Sequence, residues 1–224
     1  MVRLVTKPAA SLPSDATLTK DGLSATGNGR VLVIACGALA QEIIDLKTVN
    51  GWDHLDLTCL PAILHNHPER ITDTVTAAVA KHRADYEAIY VAYADCGTGG
   101  LLSQACEELG VEMIKGPHCY SFFEGNAAFE AHDDEITAFY LTDFLTRQFD
   151  AFVWKPLGLD KHPELRDAYF GHYTKLVFQS QTEDPVLLEK ARECAEKLGL
   201  AFEHRATGYG DLANTLSAWA TRAP

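Results

Sequence analysis

An α/β fold with a mostly parallel sheet and helices on both faces, Rossmann-like and three-layered, is predicted by three features of the sequence. Short β-branched and aliphatic runs alternate with apolar-periodic stretches of ten or more residues, the pattern of βαβ units with right-handed crossovers. Gly, Asn-Gly or Pro punctuates the ends of these segments. The chain has 224 residues, 47% of them hydrophobic, enough to bury the core of one α/β domain without staples.

The elements follow in order. Arg30 to Cys36 (Arg-Val-Leu-Val-Ile-Ala-Cys) reads as a strand buried on both faces, and Gly37 opens a helix over Ala38 to Lys47. Asp53 to Leu60 offers a second strand ended by Pro61, and His67-Pro68-Glu69 begins a helix with Pro at its tolerated first position. Ala88 to Tyr93 is a third strand, Asp95 to Gly100 its loop, Leu101 to Leu109 a helix stopped by Gly110, and Val111 to Lys115 a fourth strand. The second half is less regular. Helices are expected over Glu124 to His132, from Asp143 with Thr142 as cap, over Pro163 to Tyr173, Pro185 to Leu198 and Asp211 to Ala220. Strands are expected at Thr137 to Leu141, Lys175 to Gln179 and Ala201 to Arg205. Residues 1–29 read as a polar arm and 30–224 as one α/β domain. A local likeness between Ala105 to Glu112 and Ala195 to Glu203 allows two similar halves, about 30–125 and 126–224.

Composition excludes several classes of function. With 19 Lys+Arg against 31 Asp+Glu the net charge is −12, which opposes nucleic acid and anionic membrane surfaces. The longest apolar runs fall far short of the ~20 residues of a spanning helix. The first 29 residues lack a secretory pattern, so a cytoplasmic location is expected. There, cysteines serve as core residues, nucleophiles or metal ligands rather than disulfides.

Ligands of open parallel sheets bind beyond the carboxyl ends of the strands, and the first four strands all end near Cys or His. Cys36 ends the first, His65-Asn66-His67 follows the second, Cys96 the third, and His118-Cys119 the fourth. Cys59, Cys106 and Cys194 instead fall within a strand or on apolar helix faces, as core residues. Three thiols and an imidazole, Cys36, Cys96, Cys119 and His65, suit zinc, or iron in mononuclear or iron–sulfur form. His65, Asn66 and His118 are the candidate catalytic residues. Gly37, Gly97, Thr98, Gly99 and Gly100 offer backbone amides to a ligand, with Tyr120 at the pocket wall. The same residues also fit a metal-free reading, in which Cys36 or Cys96 at a helix start is a thiolate nucleophile with His65 or His118 as base.

Cys36-Gly-Ala-Leu39, the segment Leu60 to Glu69 (Leu-Pro-Ala-Ile-Leu-His-Asn-His-Pro-Glu), Cys96-Gly-Thr-Gly-Gly100, Gly116-Pro-His-Cys-Tyr120, Leu141-Thr-Asp-Phe-Leu145 and the segment Gly158 to Leu165 (Gly-Leu-Asp-Lys-His-Pro-Glu-Leu) together resemble an uncharacterised bacterial and archaeal domain family of unknown function, over roughly residues 30–215. The resemblance implies association with gene clusters for corrinoid-dependent methyltransferases acting on methylated amines and betaines. It marks Cys36, His65, Asn66, Cys96, His118 and Cys119 as the site without assigning roles. The expected function is therefore that of a zinc- or iron-dependent enzyme, a methyltransferase, or an accessory protein in corrinoid-linked one-carbon metabolism. Its partners would be a small-molecule substrate and a corrinoid carried by another protein. The alternatives are a metal-free cysteine hydrolase or transferase and a non-enzymatic metallochaperone or corrinoid-protein partner.

Overall fold

A computed structural model describes residues 13–132 and 135–222. The chain divides into two compact units, one made of residues up to Cys119 together with the segment from Leu212, the other of Tyr120–Asp211. These boundaries differ from the expected halves because the last helix belongs to the first unit.

The first unit begins with α1 (Asp15–Lys20), whose N-cap Ser14 accepts from the Thr17 amide. Next come β1 (Val31–Cys36), α2 (Ala40–Asn50) after a 3-10 turn, β2 (Leu55–Leu60), α3 (Ile71–His82), β3 (Ala88–Ala92), α4 (Leu101–Leu109) and β4 (Glu112–Met113). The four strands are parallel in the order β2-β1-β3-β4. The chain thus moves outward from β1 to β2 and returns across it to β3, which puts the topological switch point between β1 and β3. Val31 to Ala35 are wholly buried, as a central strand covered on both faces requires. One face packs Leu32, Ile34, Ile89 and Val91 against Ile71, Val75 and Val79 of α3 and Leu102 of α4. β4 is shorter than expected because its ladder spans only Tyr90 and Val91 of β3.

Residues 14–29 are docked rather than arm-like, whereas 1–12 lie outside the described residues. Leu18 is buried, Leu23 bridges Cys59, and the Asp56 carboxylate accepts from the amides of Thr26 and Gly27 and from the Thr26 hydroxyl.

The second unit holds α5 (Cys119–Glu124, from its second residue), α6 (Asn126–Glu130), β5 (Ala138–Leu141), α7 (Asp143–Arg147), α8 (Arg166–Phe170), β6 (Lys175–Ser180), α9 (Pro185–Leu198) and β7 (Ala201–Ala206). Its strands form a second parallel sheet, β5-β6-β7. The helix expected from Glu124 is broken at Gly125, whose φ of 96° no regular helix admits. α9 has the predicted bounds, fixed by the Asp184 cap, Pro185 at its start and Gly199 at φ 70° behind it. The final helix, α10 (Gly210–Arg222), brings Trp219 into the first unit, where its ring stacks on Tyr90 at 4.8 Å. No helix among the described residues is long and apolar enough to cross a membrane.

Candidate functional site

The carboxyl edge of the first sheet gathers the expected thiols and imidazoles, and the ladder explains how. Cys36 closes β1 in register with Leu60, while Tyr93 to Cys96 leave β3 on the other side of the switch point. The amides of Asp95 and Cys96 donate to the carbonyls of Gly116 and Pro117, each at 3.0 Å, which ties the loop after β3 to the segment carrying His118 and Cys119. Cys96 has φ 50°, the one positive value at a non-glycine residue among those described. Such backbone persists only where the surroundings impose it, and it collects at functional sites.

Burial dominates the electrostatics. It pushes the Cys36 thiol up to about 11, against some relief from the Ala38 amide and the Tyr93 hydroxyl. Cys96 is raised by burial and then by Cys119 and Cys36, and Cys59 by burial and then by Cys36 and Glu42. These influences put Cys59 and Cys96 within electrostatic reach of Cys36, and Cys119 within reach of Cys96. His65 and His118 are both lowered by burial, His65 further by His118. At neutral pH the thiols of Cys36 and Cys96 are protonated and both imidazoles are uncharged. Glu42 raises the Cys36 thiol further, and Asp95 the Cys96 thiol.

Other expected residues have different occupations. Gly37 is buried under crowded backbone: a Cβ there would lie 2.4 Å from the Leu18 carbonyl oxygen. The glycine loop does not present free amides to an anion, because the Asp95 carboxylate takes them. It accepts from Thr98 Oγ1 at 2.8 Å, the Gly99 amide at 3.1 Å and the Gly100 amide at 2.7 Å. Gly97 and Thr98 also line a groove of about 590 Å³ with Pro68, Glu69, Thr72 and Leu101. His65 and Asn66 lie in a 3-10 turn, Ala62–Asn66, so His65 and His67 do not share an extended face; the half-exposed His67 approaches Glu69 instead. Tyr120 belongs to the second unit, its ring stacked on Tyr140 at 4.9 Å and tilted against Phe129.

Two residues of the cluster are absent from the sequence-based set. Tyr93 reads as the end of an apolar strand, two residues before Asp95-Cys96-Gly97; Glu42 reads as an ordinary polar position of α2 but is 3% exposed. The donors suit a soft cation, combining thiols with neutral imidazoles. Among the described residues no three His, Cys, Asp or Glu side chains are already arranged to hold a metal ion. Binding one would therefore include side-chain rearrangement.

A family model described as a protein of unknown function (DUF1638) matches residues 59–216. The match takes in His65, Asn66, Cys96, His118 and Cys119 and begins after Cys36. No curated protein matches. A solved ornithine carbamoyltransferase from Pyrococcus furiosus is similar over 84% of this chain at 13% identity, with a TM-score of 0.23. The chain spans 55% of that chain's length.

Proposed function

The chain belongs to the family of unknown function matched over residues 59–216, a membership that assigns no chemistry, and from the site we propose that it binds a thiophilic metal ion, zinc or iron. Cys36, Cys96 and Cys119 would be ligands, with His65 as the fourth and His118 beside it. One observation carries this reading: soft donors gather at the switch point of a parallel sheet, and the charges bearing on Cys36 and Cys96 are negative. A cation answers both features, since it deprotonates its thiols and offsets Glu42 and Asp95. The metal-free nucleophile has less support. It needs a thiol made acidic by a helix start, whereas burial raises both Cys36 and Cys96.

The association with corrinoid-dependent methyltransferase gene clusters that the resemblance implies extends the proposal to methyl transfer, because a thiolate-bound zinc can hold a thiol as its nucleophilic anion at neutral pH. In that setting the protein acts on a small-molecule substrate or serves a corrinoid protein as an accessory.

The test is anaerobic purification of the full chain without an affinity tag, with metal quantification and absorption spectra. About one equivalent of zinc or iron per chain is expected, colourless for zinc and coloured for an iron–sulfur centre. A protein that neither retains either metal nor takes it up after reduction would overturn the reading.

A further inference from the structure

We propose that the groove between α3 and α4 is a docking surface for a partner protein that presents a basic amphipathic helix. The inference stands independently of the metal-binding reading. Both helices cover the same face of the first sheet, α3 through Ile71, Val75 and Val79 and α4 through Leu102 and Cys106. Their flanks leave the groove of about 590 Å³ between them. Along α4 it is lined by Leu101, Gln104, Ala105 and Glu108, a spacing of i, i+3, i+4 and i+7. That is the stripe one helix offers to another, and α4 carries it in addition to the stripe it buries against the sheet. Leu101, which is 61% exposed, joins Pro68 and Ala105 in giving the groove an apolar lining.

Charge and backbone together select the occupant. The charged residues lining the groove, Glu69, Asp73 and Glu108, are all carboxylates, and no Lys or Arg lines it among the described residues. Glu69 approaches the half-exposed His67 at 3.6 Å and Glu108 accepts from Gln104 at 2.9 Å, which leaves their charges to a cation from outside. A second copy docked face to face would set these carboxylates against each other, and an anionic membrane would be repelled. Both walls are helices, whose backbone groups are bonded internally, so an extended segment finds no ladder to join. A helix laying its apolar stripe between them, with Lys or Arg along its flanks, satisfies shape and charge at once. The lining includes Gly97 and Thr98, which directly follow Cys96, so such a partner lies beside the carboxyl edge of the sheet.

The probe is a synthetic helical peptide of about four turns, with Leu at heptad spacing and Lys on its flanks. It is labelled with fluorescein and titrated with the full chain at about 0.15 M salt. Anisotropy should report saturable one-to-one binding tighter than about 100 µM, and carbodiimide should couple peptide lysines to Glu69, Asp73 or Glu108. Glu69→Lys, Asp73→Lys and Glu108→Lys together should weaken binding by at least about 10-fold, and Leu101→Ala by about 3- to 10-fold, with unchanged melting temperatures. The control reverses three exposed carboxylates of α9, Glu189, Glu193 and Glu196, in the same way; its affinity should stay within about twofold of the wild type. An equal loss in that control would show attraction to an acidic protein at large and overturn the proposal. So would the absence of saturable binding, or a wild-type dimer that Leu101→Lys breaks, since a second copy would then occupy the groove.

Discussion

The buried titratable clusters of the two units differ in kind. In the second, Arg205 is paired with Glu124, Glu135 and Glu203, and Lys175 with Glu135 and Glu203, while Gln179 donates to Glu124. Each of these three carboxylates has a cation within reach, while the Gln179 carbonyl oxygen and the Thr146 hydroxyl of the same unit are unmatched among the described residues. In the first, Cys36 and Cys96 are buried beside anionic groups, and the Tyr93 hydroxyl is unmatched among the described residues. A satisfied network holds a fold together, and a partly satisfied one is where a ligand has something to gain. The contrast is between a cluster of paired charges and one of raised thiols and lowered imidazoles.

The largest expected effect tests the paired charges. Replacing Arg205 by Met removes a cation from Glu124 and Glu135, whose side chains are each 10% exposed, and leaves Gln179 on the one and Lys175 with Tyr140 on the other; it should destabilise the protein by about 3 kcal/mol in urea unfolding. A change below about 1 kcal/mol would mean that the network is loose enough for water to replace the cation. The same network predicts an acid limb. Glu135 is held at about 2 against an ordinary 4.5, with Arg205, Lys175 and Tyr140 outweighing burial. Because the folded value is the lower one, the stabilisation is present above 4.5 and drains away as pH falls toward about 2. Glu135→Gln should flatten that limb in pH-dependent melts.

The next effect tests the thiols. Raising the Cys36 thiol from 9.0 to about 11 reduces its ionised fraction at neutral pH, so alkylation of the metal-free protein at Cys36 should run about 100-fold slower than for a free cysteine. Mass-spectrometric rates for each cysteine decide this, and a fast Cys36 would restore the nucleophile reading. A smaller effect is expected at the loop between them in chain order. Asp95→Ala removes the acceptor for Thr98, Gly99 and Gly100 and should cost about 1–2 kcal/mol, as loss of a capping side chain does.

Much of the fold was legible because local chemistry dictated it. Asp184-Pro185 and Gly199 bound α9, Thr142 caps α7 through the Leu145 amide, and Cys59, Cys106 and Cys194 are buried as expected. What escaped depends on contacts between distant residues. Nothing in the run Ala138 to Leu141 says that it pairs with Lys175 to Phe178 to begin a second sheet. A 3-10 turn at His65 and a carboxylate folded back onto its own glycine loop are likewise decided by neighbours and not by spacing. Tyr93 was hidden for the converse reason, since its ring obeys the apolar pattern and only its oxygen departs from it.

The return of α10 to the first unit bears on how the chain is made. Trp219 is fully buried, stacks on Tyr90 and donates to Glu112, and Ala220 packs against Val31 and Leu55. During synthesis the four strands of the first sheet emerge long before α10, which sets Trp219 and Ala220 against Tyr90, Val31 and Leu55. The intervening Tyr120–Asp211 emerges complete in the meantime and can fold as a unit. The first sheet is therefore completed later than the whole of the segment that folds between its last strand and α10.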